Sequence, residues 1–166
     1  MPIAYRNGKW YWGSKGGFDT KAQALAVARA ARAHGFKEEA EGETMNKQAI
    51  GTFVGTMLHS ATIAHFMHLQ TKSYSEHKAL GGYYEGIIDL VDSLAESIQG
   101  CYGIITDYPD SYDFPADTSP MEYLADLKEF VADLRTELPQ ESEIQNEVDN
   151  IANFINTTLY KLTYLR

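Results

Sequence analysis

A single cysteine, Cys101, among 166 residues rules out an intrachain disulfide framework and a thiolate-rich zinc or iron–sulfur site. Any metal would need imidazole and carboxylate ligands. Cys101 is expected to be a small buried hydrophobe, as free cysteines usually are. Long apolar runs are also missing. None reaches the roughly 20 residues of a membrane span, and Met1-Pro2-Ile3-Ala4-Tyr5-Arg6 has no secretory apolar core, so the chain reads as soluble, intracellular and without a membrane partner. Histidine is absent beyond His77. The last helices therefore cannot supply the inward Glu-x-x-His pairs of a bundle-internal di-iron centre.

Positive charge is scarce after the first quarter of the chain. Residues 1–37 hold seven Lys or Arg against Asp19 alone, a balance of +6, whereas residues 38–166 carry −15 of the total −9. Such asymmetry implies two modules with different partners. The basic one suits an acidic surface or nucleic acid, or it folds back on the acidic body. The length allows one well-buried domain with a small appendage.

Asn7-Gly8 tolerates positive φ and suits a tight turn, so Ile3–Arg6 and Lys9–Trp12 are predicted to form a hairpin. A Gly-rich stretch, 13–17, follows. Asp19 or Thr20 then caps a helix over 21–33 that Gly35 stops, completing a ββα module over 1–37. Its aromatic side chains need a surface to cover them, because the module is too small to bury much by itself. The acidic run 38–43 reads as a hinge.

Residues 44–166 carry four helical patterns. The first, 44–70, repeats Ile50, Phe53, Val54, Met57, Leu58, Ala61 and Ala64 at three- and four-residue steps. The second, 73–100, opens on a Ser73/Glu76 capping box, carries Ile87, Ile88, Leu90, Val91, Leu94 and Ile98, and has a weak point at Gly81-Gly82. Segments 120–138 and 142–164 follow, with Pro120 in a favourable first turn and Pro139 between them. The second and third helices are separated by a polar, Tyr/Asp/Pro-rich connection of about 18 residues, which reaches about 60 Å when extended. That is enough to run the length of a bundle and join parallel helices. The fold class predicted is mainly α, a ferritin-like four-helix bundle with a long crossover, preceded by the ββα module.

On a helical projection Glu85, Asp89, Asp92 and Glu96 share one stripe, opposite the apolar face of their helix. The simplest reading is a solvated charged face, and Glu122, Asp126, Glu129, Asp133 and Glu137 form another. His65 and His68 project with Ile50, Val54, Leu58 and Ala61, where each reads either as a hydrogen-bonded core imidazole or as a ligand. His59 falls on the other side and is expected at the surface; His34 suits the end of the N-terminal helix. A metal site built from these groups has to lie between subunits. His65 and His77 of one chain would face Asp92 and Glu96 of another, with His68 and Glu85 as further donors.

The stretch His65-Phe66-Met67-His68, then His77-Lys78-Ala79-Leu80, then Tyr84 through Asp92-Ser93-Leu94-Ala95-Glu96, resembles the ferroxidase region of the Dps family, the ferritin-like miniferritins that protect DNA in starved bacteria. The resemblance covers about 35 residues well and the rest of the bundle loosely. It implies a homo-oligomer that binds iron at His65, His77, Asp92 and Glu96 across a two-fold interface and oxidises Fe(II). One position departs: the family has a carboxylate four residues after the second histidine, where this chain has Gly81. Separately, Tyr5-Arg6-Asn7-Gly8-Lys9-Trp10-Tyr11-Trp12-Gly13 with Phe18-Asp19-Thr20-Lys21 and Ala30–Phe36 resembles a small module found at the ends of tailed-bacteriophage proteins. That likeness implies a phage-encoded chain, acting in the host cytoplasm or in the virion. Arg6, Lys9, Trp10, Trp12 and Lys15 are then the expected contacts to a capsid component or to DNA. The alternative to a ferroxidase is a virion-associated structural or cargo protein whose metal site has degenerated.

Overall fold

The computed structural model describes residues 3–6, 8–12, 15–33 and 45–165. It divides into two compact units, 1–44 and 45–166. The predicted stop at Gly35, the position of His34, the acidic hinge and the helix start at 44 fall outside the described residues.

In the first unit, β1 (Ile3–Arg6) and β2 (Lys9–Trp12) form the antiparallel hairpin expected from Asn7-Gly8, with Gly8 at φ 78°. The sheet has a third strand, formed from the Gly-rich stretch, that the expected ββα module did not include. β3 (Lys15–Phe18) pairs with β2, and the module is βββα. Glycine has poor strand preference, which hides such a segment in sequence, but the open edge of β2 offers a row of backbone partners. Trp10 pairs with Phe18 and Tyr11 with Gly16, so Gly17 is a bulge residue at φ 87°, a conformation that favours glycine. Helix α1 (Lys21–Ala33) starts from Thr20, whose hydroxyl accepts from the Gln23 N–H, while the Gln23 side chain accepts from the backbone of Asp19 and Thr20. Ala24 is its fully buried contact residue.

The second unit is mainly helical. Helix α2 (Lys47–Gln70) begins after Asn46, whose side chain caps it by accepting from the Ala49 N–H. Helix α3 (Tyr74–Tyr102) is continuous through Gly81-Gly82. Ser73 accepts from the Glu76 N–H, but the Glu76 carboxylate turns to the Thr71 hydroxyl at 2.6 Å, so only half of the expected capping box forms. A full capping box stands instead at Ser119/Glu122, opening α4 (Pro120–Leu134). A single 3-10 turn, Arg135–Glu137, leads toward α5 (Ser142–Tyr164).

Side-chain pairs establish the helix directions. Phe53 stacks on Phe130 near one end and Asn46 bonds Glu137 beyond it, so α2 and α4 are antiparallel. Tyr83 stacks on Phe154, and Tyr102 donates to Glu141, which makes α3 and α5 antiparallel. Arg135 bonds Gln145 and Asp149, fixing α4 against α5. The three-residue turn 71–73 makes α2 and α3 antiparallel. Hence α3 and α4 are parallel, and packing runs around the ring α2, α3, α5, α4.

The connection from α3 to α4 therefore has to return along the body, and α2 is shaped to receive it. A Cβ on Gly51 would intrude on the Asp107 carbonyl, and one on Gly55 would intrude on the Tyr112 hydroxyl. Glycine at both positions lets the crossover lie directly on the helix. Tyr112 stacks on His59 at 4.7 Å and Phe114 meets Phe66 edge-on at 5.6 Å, so His59 is half-buried under the crossover rather than free at the surface.

The core contains nearly all the apolar positions read from periodicity, among them Phe53, Met57, Ala64, Ile87, Val91 and Leu94. Ile88 departs at 44% exposure, and Cys101, expected inside, is exposed near the end of α3. Its helix projects it away from Ile98, the last buried residue of that face. Tyr83 is buried with its hydroxyl 2.9 Å from Ser60, which donates to the Met57 carbonyl; burial raises the phenol's pKa.

Candidate functional site

His65 and His68 stand three residues apart near the end of α2, and His77 stands in the first turn of α3. The short turn between the helices brings them together. The rings of His68 and His77 stack with centroids 3.6 Å apart. His68 Nδ1 lies 2.8 Å from the His77 carbonyl, and His77 Nδ1 lies 3.1 Å from the His68 carbonyl. A carbonyl only accepts, so each Nδ1 carries the proton and donates. In the neutral rings this leaves Nε2 with the lone pair. The same orientation is what a metal-binding histidine needs from its surroundings. The pair also clasps the turn.

His65 extends the cluster. It stacks on Tyr84 at 4.2 Å, and Tyr84 meets His68 edge-on at 5.3 Å. His65 is exposed rather than set in the apolar seam where its projection put it. Gly81 faces the same cluster: a Cβ there would stand 3.4 Å from the His68 ring. The residue that departs from the resembled pattern is thus beside the imidazoles and leaves a notch.

Glu85, Asp89, Asp92 and Glu96 are exposed, as the projection required of a stripe opposite the apolar face. Asp92 is 15 residues after His77, a rise of about 22 Å along a helix, so these carboxylates cannot share an ion with His77 in one chain. Among the described residues no group of three or more His, Cys, Asp or Glu side chains is close enough to hold a metal. One chain brings the three histidines together and leaves the two predicted carboxylates elsewhere. Glu76 is committed to Thr71.

Of the predicted contact residues of the N-terminal module, Arg6 is in β1, Trp12 in β2 and Lys15 in β3. Lys9 is paired with Asp19, and Lys21 lies 5.6 Å over the ring of Trp10. Part of the module's positive charge is therefore engaged within it.

Sequence reasoning undervalued His68 and missed Tyr84. The i, i+3 spacing of His65 and His68 was the available signal; the reciprocal bonding with His77 depends on the turn geometry.

The model of a family of unknown function (DUF5856) matches residues 68–162, from the clasping His68 through α3, the crossover, α4 and most of α5. The chain belongs to this family. The match thus lies within the helical unit, begins at the last turn of α2, and does not reach the N-terminal module. The chain is also similar to the "Uncharacterized 14.6 kDa protein in mobD-ri intergenic region" of Enterobacteria phage T4, 26% identical over 113 residues, 67% of this chain and 85% of that protein. No solved structure matches it. A DUF5856 chain with a phage relative accords with the phage origin implied by the N-terminal resemblance, while neither match carries the Dps name. Among the described residues no helix is long and apolar enough to cross a membrane.

Proposed function

We propose that this DUF5856 chain is a phage-encoded, ferritin-like bundle that self-associates and binds Fe(II) between subunits for oxidation by peroxide or oxygen. The observation that carries the reading is the histidine clasp. Two imidazoles present protonated Nδ1 atoms to backbone carbonyls and keep Nε2 available, beside an exposed third imidazole. Parallel α3 and α4 joined by a full-length crossover support the ferritin-like description.

His65 and His77 would supply neutral nitrogen donors, and Asp92 and Glu96 of a neighbouring copy would offset the ferric charge. A two-fold arrangement meets the need for distance, since it can bring one chain's acidic stripe to its neighbour's histidines. Fe(II) oxidation followed optically on the oligomer tests this. Alanine at both His65 and His77 should abolish the fast phase, and an unsubstituted protein that neither binds nor oxidises Fe(II) would sink the proposal.

A second reading has its own support. Gly81 gives the cluster no carboxylate, and the relative comes from Enterobacteria phage T4. In this version the bundle is an inherited scaffold, and the N-terminal module docks a virion-associated protein to a capsid component or to DNA. Deleting residues 1–37 should then leave the helical unit folded and stop its incorporation into particles; normal incorporation would exclude this reading.

A further inference from the structure

Where the crossover lies between α2 and α4, a groove of about 420 Å³ remains open. That volume falls within the usual range for small-molecule sites, about 300–1,000 Å³. Its floor is apolar, made by Ile63 and Leu127, and its aromatic walls are Tyr112, Tyr123 and Phe130. Neither Tyr112 nor Phe130 is loose. Tyr112 is held by its stack on His59 and by its hydroxyl over Gly55; Phe130 is held by its stack on Phe53 at 5.8 Å.

Two carboxylates and His59 are the titratable groups at this groove besides its two tyrosines. Asp113, from the crossover, and Asp126, from α4, stand at the rim, and among the described residues no Lys or Arg lines it. An anionic ligand would meet two carboxylates. A neutral apolar ligand would leave their field unused, whereas an organic cation satisfies the charge at the rim and the aromatic faces below it. Aromatic rings attract a cation through their quadrupole, and a quaternary or alkyl ammonium also has the apolar surface that the floor can bury.

We propose that the crossover groove is a binding site for a small organic ammonium ion, its charge between Asp113 and Asp126 and its apolar body against Tyr112 and Phe130. The site is independent of the histidine clasp and of iron.

Choline, with dimethylbutanol as its uncharged carbon isostere, serves as the probe pair. Titration of the full chain by proton NMR, at constant ionic strength set with potassium chloride, follows the ring signals of His59 and Tyr112. Choline should shift them saturably and the isostere at least threefold less tightly. Asp113→Asn and Asp126→Asn should each weaken choline by roughly threefold, the scale of one exposed ionic contact. Both aspartates are exposed, so these variants should keep the fold, which the unchanged core methyl spectrum verifies. An unsaturable choline response, equal binding of the isostere, or unaltered affinity in both variants would each overturn the proposal.

Discussion

Helix α2 has two outward faces with opposite fates. One carries Gly51, Gly55 and His59 and is covered by the chain's own crossover; the other carries Leu58, Thr62, His65 and Leu69 and has no such cover, with Leu69 at 69% exposure. On the covered face two positions are glycine, which leaves room for the Asp107 backbone at Gly51 and the Tyr112 hydroxyl at Gly55. On the open face imidazole and leucine extend outward. One helix thus meets the chain's own loop through two glycines and the stacked His59, and turns His65 and Leu69 outward on the other face.

The strongest way to break this contrast is to add a methyl group on the covered face. Gly51→Ala drives Cβ into the Asp107 carbonyl, where backbone has to move, and overpacking of this kind costs about 1–3 kcal/mol, partly offset by alanine's helix preference. A clear drop in the urea midpoint is expected. Thr62→Ala, on the open face, should stay within about 0.5 kcal/mol. Equal effects at the two positions would mean that the crossover does not rest on α2 in solution.

Next in size is the clasp. His68→Ala leaves the His77 carbonyl without its donor and removes the stack, at a cost of about 1–2 kcal/mol. Because each ring serves the other's backbone, His68→Ala and His77→Ala should be coupled, with the double variant costing less than the two singles together. Additive losses in denaturant melts would show that the two bonds act separately.

The smallest effect is read from pH. Tyr102 donates to Glu141, and that bond, with burial and the nearby carboxylate charge adding to it, pushes the phenol's pKa up to about 12 from its ordinary 10.0. Over that window the unfolded chain ionises first. The phenol's contribution is therefore whole below pH 10 and is lost as pH rises toward 12. Melts of Tyr102→Phe against the unsubstituted chain across that range should show a shallower alkaline decline in the variant. A parallel decline would place the loss elsewhere.

Much of this architecture was legible from residues alone. Three- and four-residue apolar spacing, Ser73, Pro120 and Pro139 located the four helices within a few residues, because helix formation answers to local periodicity and end chemistry. The acidic stripe of α3 was legible for the same reason. β3 was not, since its glycines have little strand preference and it exists only through the edge that β2 offers. Cys101 misled in the same way: a general tendency to burial could not say which side of the last turn of α3 meets the core.

By itself the sequence determined which residues lie together on each helix face, where the helices begin and end, and the separation of a basic segment from an acidic one. These are short-range properties, set by rotation per residue and by capping. Only the tertiary structure decided that His68 and His77 clasp each other's backbone, that Gly51 and Gly55 are seats for the crossover, and that Tyr112 and Phe130 wall a groove. Those features join residues far apart in the chain, and their geometry arises from which helix surfaces fit together once the apolar faces are buried.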